Sequence, residues 1–111
     1  TYKAVVAKSR SVNSKQLLQY ILGVINEVAD DMIMVSHIGA HSILDFDQLT
    51  EFLEMFMEEL ADRKSITTWE VICDHRNNPS IANVNGPIYL TIVYKQYNCL
   101  NTTSVDFVIE D

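Results

Sequence analysis

The reactive side chains fall into a few short clusters. His37 and His41 are four residues apart, a spacing that on a helix puts both imidazoles on one face, where zinc could be held. Gly39 lies between them and no third ligand follows nearby, so they read as polar residues of a connecting segment. Cys73-Asp74-His75 brings a thiol, a carboxylate and an imidazole together. Alternate residues of a strand share a face, so Cys73 and His75 can lie on one side. A catalytic thiolate also needs a base held against it and an oxyanion site, and no second part of that kind is visible. The cluster reads as a strand cysteine followed by a polar loop. Glu51, Glu54 and Glu58 line one side of a helical pattern, with Glu54 and Glu58 a like-charge pair four apart. They form a solvated face or, as the alternative, a surface for a basic partner. Asn101-Thr102-Thr103 matches a glycosylation triplet, which carries little meaning in a sequence with no leader pattern. There is no Gly-rich phosphate loop. No catalytic, cofactor-binding or metal-ligating residue is assigned, no cofactor is expected, and the chain reads as a non-enzyme.

Composition sets the frame for these residues. A chain of 111 residues fits one domain, here 1–111, and has enough surface to bury for a core without staples. Its 48% hydrophobic content is that of a globular protein. Fifteen acidic against eight basic residues give a net charge of −7, which repels phosphate backbones, so nucleic acid is not an expected partner. The basic density of Lys3, Lys8, Arg10 and Lys15 reads as a solvated edge. Cys73 and Cys99 make no disulfide framework. No apolar run reaches the roughly 18 residues needed to cross a bilayer, and no charged-then-apolar leader opens the sequence. A soluble, reduced cytosolic protein, neither secreted nor in a membrane, is the expectation.

The elements that position these residues follow from periodicity. Tyr2 to Ala7 reads as an edge strand or arm, with lysines around it. Asn13 or Ser14 can cap a helix whose stripe is Leu17, Leu18, Ile21, Leu22, Ile25 and Val28, ending near Ala29 or Asp30. Met32 to Leu44 reads as an extended connection. Asp45 with Gln48 forms a capping-box pattern for a second helix, with Phe46, Leu49, Phe52, Leu53, Phe56, Met57 and Leu60 on its apolar face. Arg63 and Lys64 suit its carboxyl end. From Ile66 the period changes to two. Trp69, Val71 and Cys73 share one face, a loop spans Asp74 to Asn85, and Ile88 to Tyr97 and Val105 to Ile109 alternate as strands. The predicted fold is α+β: two amphipathic helices packed on a small, mostly antiparallel sheet, with strand-like arms in 1–10 and 102–111.

The run Trp69-Glu70-Val71-Ile72-Cys73-Asp74, then Asn77-Asn78-Pro79, Ile81-Ala82, Gly86 and Ile88 to Lys95, resembles the carboxyl-terminal domain of contractile-tail sheath proteins. Upstream, two helices joined by a connecting segment are similar to that family as well, so the likeness spans most of the chain from about Val12. The chain has Lys95-Gln96 where the family usually has Lys-Pro, and it lacks the outer domains of sheath proteins. A short, stand-alone copy resembles a sheath initiator at the baseplate, or a relative with another role in a virion; the initiators are similar in the later strands, but their usual Gly-Glu-Arg signature is absent here.

The resemblance implies a non-enzymatic structural subunit of a phage or phage-like particle, joining copies of itself or tail and baseplate proteins by strand addition. In that family, terminal strands are traded between neighbours. Tyr2, Ala4 and Val6 with Val105, Phe107 and Ile109 would then belong to the arms, and Ile88, Leu90 and Ile92 to a receiving strand. The alternative is a small acidic regulatory protein that binds a host or phage protein through Glu51, Glu54 and Glu58.

Overall fold

The computed structural model describes residues 3–11, 14–35, 43–73, 76 and 88–110. The chain runs β1 (Lys3–Arg10), α1 (Lys15–Val35), α2 (Ile43–Asp62), β2 (Ile66–Ile72), β3 (Ile88–Gln96) and β4 (Thr102–Glu110). All strand pairs are antiparallel, in the order β1-β4-β3-β2. Two helices packed on a four-stranded antiparallel sheet make the α+β fold read from the sequence. Both terminal segments are strands of this sheet: β1 forms one edge and β4 lies between β1 and β3.

Period-two alternation sorts each strand into a buried and an open side. Ile88, Leu90, Ile92 and Tyr94 point inward from β3, and Thr103, Val105, Phe107 and Ile109 from β4. Register carries this sorting across the sheet. Ala4, Ile109 and Ile88 form one inward row, and Val6, Phe107 and Leu90 the next. Val105, Ile92 and Val71 follow, then Thr103, Tyr94 and Trp69. A slip of one residue would turn a whole strand's apolar set to water. Each such side chain contributes about 1.5–3 kcal/mol by burial, so the register is strongly specified. The two edge strands each carry an irregularity, at Ala7 between Val6 and Lys8 and at Thr67 between Ile66 and Thr68. Bulges at edges discourage pairing with foreign strands.

The helices cover the inward face with Leu18, Ile21, Ile25 and Ala29 from α1 and Leu49, Leu53, Met57 and Leu60 from α2. Ser14 is the N-cap of α1: the Leu17 N–H donates to Ser14 Oγ at 3.2 Å and the Leu18 N–H to the Ser14 carbonyl at 3.3 Å. Three boundaries differ from the sequence reading. First, α1 continues past Asp30 to Val35, taking in the first part of the segment read as extended. No Gly or Pro interrupts 24–35, and the next breaker is Gly39, so nothing stops the helix earlier. Second, α2 starts at Ile43, which makes Asp45 its third residue and not a cap. Acidic residues suit the first turn as well as the cap, so the sequence pattern is the same for both. Third, β1 and β4 run longer than Tyr2 to Ala7 and Val105 to Ile109. The middle of the Met32 to Leu44 connection and most of the Asp74 to Asn85 loop lie outside the described residues.

At the carboxyl end of α2 the Ser65 N–H donates to the Leu60 carbonyl at 2.9 Å and the Lys64 N–H to Ala61 at 3.0 Å. This is a Schellman closure with Lys64 at φ 61° in the position usually held by glycine. A left-handed conformation costs an L-residue about 1–2 kcal/mol, partly offset in a glycine variant by the entropy of the unfolded chain. Lys64→Gly should therefore raise stability by about 0.5–1 kcal/mol in urea unfolding. Gly23 sits inside α1 with nothing within 4 Å of a Cβ placed there, so Gly23→Ala should add a similar ~0.5–1 kcal/mol.

Candidate protein-protein interface

The residues expected to meet other subunits divide into two groups. Ile88, Leu90, Ile92, Val105 and Ile109 are wholly buried, Ala4 and Phe107 are nearly so, and Val6 packs against them. They are brought together as the core of this chain's own sheet. The strand expected to receive a partner, β3, is flanked on both sides by β2 and β4 and has no free edge. Tyr2 lies outside the described residues. The alternative group, Glu51, Glu54 and Glu58, is exposed on α2.

What keeps β1 in place is modest. Its exposed positions outnumber its buried ones, and Ala4 is its one fully buried side chain. The Ala4 N–H donates to Asn26 Oδ1 at 2.8 Å, while Asn26 Nδ2 donates to the Leu22 carbonyl. A helix side chain thus satisfies a backbone donor of an edge strand that another strand could otherwise take. Beyond β1 the chain turns at Ser11, φ 57°, whose carbonyl accepts the buried Thr103 hydroxyl at 2.8 Å. This bond, spanning 92 residues, ties the β1–α1 corner to β4. The threonine of the glycosylation triplet is thereby a core group.

Two surfaces remain open. The outer sheet face carries Val5 and Tyr89, both exposed, and partly exposed Val93, Val108 and Ile72. Around them stand Lys3, Lys8, Arg10 and Lys95, all on the same side by register. Asp106 lies opposite Lys8 and accepts the Thr91 hydroxyl at 2.7 Å. A shallow depression of about 310 Å³ opens there, against Ala7 and Tyr89. The helix layer carries the second surface. Tyr20 packs its ring against Phe56 with centroids 5.7 Å apart, and Phe52 and Met55 stand 49% and 65% exposed. The sequence pattern placed Phe52 on the apolar face of α2. In the fold it lies on the flank of the stripe set by Leu49, Leu53, Met57 and Leu60, too far round the helix to reach the sheet. The surface role of Val5, Tyr20, Met55 and Tyr89 was not read from sequence. The alternation around Tyr89 held the signal for that residue, since a large aromatic on the outward side of a strand has no core to enter.

Among the described residues no group of three or more His, Cys, Asp or Glu is placed to hold a metal. Cys73 is buried at the end of β2, and it is not joined to Cys99. His37, His41, Asp74 and His75 lie outside the described residues. No described helix is long and apolar enough to cross a membrane. Burial raises the hydroxyl pKa of Tyr94 above its ordinary value of 10.0. With the folded pKa above the unfolded one, the stabilising effect of a neutral Tyr94 is complete below pH 10 and is lost as pH rises further. Alkaline titration followed by circular dichroism should show stability falling above pH 10, and Tyr94→Phe should flatten that fall. No protein-family model, curated protein or solved structure matches the chain.

Proposed function

We propose that the chain is a non-enzymatic structural subunit, of the kind its resemblance to contractile-tail sheath domains implies, which joins neighbouring subunits in a phage or phage-like particle by exchanging its first strand. One observation carries the reading. β1 is an edge strand that contributes a single fully buried side chain, yet it pairs along its length with the buried strand β4. Its removal would cost little apolar burial and would leave an edge of β4 lined by Val105, Phe107 and Ile109. Such an edge takes up another strand through main-chain bonds, with alternate side chains setting register. An identical β1 from a neighbour has the right register by construction, which is the logic of strand exchange between copies.

A second reading rests on the helix layer. Phe52 and Met55 are exposed among Glu51, Glu54 and Glu58, a combination suited to a basic host or phage protein that the chain would regulate. Charge reversal at Glu54 and Glu58 separates the two readings: it would abolish binding of such a partner and leave strand exchange untouched.

Strand exchange is tested by a cysteine pair at Arg10→Cys and Ser104→Cys, which face each other across β1 and β4, in a Cys99→Ser background. Oxidation of an associating sample should give interchain disulfides and a ladder on non-reducing gels. Asn26→Ala, which removes the acceptor of the Ala4 amide, should cost about 1–2 kcal/mol and increase the interchain fraction. Intrachain disulfides alone at every concentration would sink the strand-exchange reading.

A further inference from the structure

The charge of this chain is divided between its two layers. Ten of the fifteen acidic residues lie within α1 and α2, which contain one basic residue, Lys15. Lys3, Lys8, Arg10 and Lys95, half of the eight basic residues, stand together on the open side of the sheet. On that side they meet Glu70, Asp106, which is already bonded to Thr91, and the register position of Glu110 opposite Lys3. Each layer also offers an apolar centre: Tyr20, Phe52 and Met55 on the helices, Val5, Tyr89 and Val108 on the sheet. An apolar centre with a charged rim is the anatomy of a protein interface, and here the two rims have opposite signs.

We infer that the helix layer of one copy docks on the open sheet face of the next, so that this chain stacks head to tail. The inference rests on the assembly role proposed above and supplies it with a second contact, separate from strand exchange. The occupant follows from charge. Two helix layers brought together would set Glu27, Glu51, Glu54 and Glu58 against their own copies, and like charges across an interface are disfavoured. Two sheet faces, each with four cations against the three acids Glu70, Asp106 and Glu110, would set net positive surfaces together and leave the acidic helix layers uncovered. Helix layer on sheet face pairs the glutamates with the lysines and covers Phe52, Met55, Val5 and Tyr89. A contact between two different patches of one chain does not close on itself, so repetition builds a ring or a filament. Because the rims are exposed, salt weakens the contact.

The test uses the full chain and two double variants at exposed or half-exposed positions. Lys8→Glu with Lys95→Glu reverses the sheet rim, and Glu51→Lys with Glu58→Lys reverses the helix rim. With β1 tied to its own β4 by an oxidised Ser9→Cys/Val105→Cys pair in the Cys99→Ser background, sedimentation at low salt should show the otherwise natural chain growing with concentration and shrinking at high salt, and each double variant alone should stay monomeric. An equimolar mixture should regain assembly, because the helix layer of the first variant meets the unchanged sheet face of the second and the two reversed faces are again opposite in sign; that result also shows both variants to be folded. The inference is overturned if the locked chain stays monomeric at low salt, if either locked variant assembles like it, or if the mixture of locked variants remains monomeric. The Ser9→Cys/Val105→Cys disulfide holds β1 on its own β4 and keeps every charge of both rims, so it separates this contact from strand exchange. Stacking of that locked monomer supports the face-to-face contact alone. Loss of all association on locking leaves strand exchange standing and overturns the stacking.

Discussion

The insertion of the last strand between the first and the third holds this structure in one piece. β4 enters the sheet between β1 and β3, so its register with both neighbours aligns every inward row of side chains. Ile88 with Ile109 and Leu90 with Phe107 form the centre of the core, and Ala4 and Val6 extend those rows to the edge. The helices can bury Ile21, Ile25, Leu53 and Met57 only because this continuous apolar floor exists beneath them. Closing a chain end to end carries an entropic cost that grows slowly with length, and the pairings of β4 with β3 and β1 offset it. The Thr103–Ser11 bond then fixes the corner from which α1 departs.

The same arrangement explains why the interface argument turns on faces and edges and not on a pocket. Helices shield one side of the sheet, and nothing among the described residues shields the other. Antiparallel sheets tolerate such a solvated side when it is polar. Here that side mixes cations with Val5, Tyr89 and Val108, which is more apolar than solvation alone requires. The helix layer repeats the pattern in opposite charge. Its aromatic pair Tyr20–Phe56 spans the seam between α1 and α2, so the exposed patch belongs to the layer as a whole. Edge strands are guarded in a different way, by a bulge in each and by Asn26 on β1. On β1 the bulge at Ala7 is joined by the Asn26 side chain, which takes the Ala4 amide.

Element types and the α+β class were legible in the sequence because local periodicity reports them. Leu18, Ile21 and Ile25 recur as a helix requires, and Ile88, Leu90 and Ile92 as a strand requires. The inward faces of β2, β3 and β4 were legible for the same reason. Boundaries were less so. An acidic residue near a helix start looks alike as cap or first turn, and a helix such as α1 runs on until something stops it. Phe52 was misplaced because i, i+3, i+4 spacing admits residues on the flanks of a stripe, and only the position of the sheet decides which flank is covered.

By itself the sequence determined that two helices and alternating strands would enclose a core, and that the acidic charge would gather on the second helix. Both are local properties, set by residues within a few positions of one another. Only the tertiary structure decided that β1 pairs with β4, that β3 is interior, and that Lys3, Lys8, Arg10 and Lys95 share one open face. Those facts depend on strand order and register, which are chosen by contacts between residues far apart in the chain. The choice of partner for an open face belongs to the same level, because it follows from how the layers divide the charge and not from any one segment.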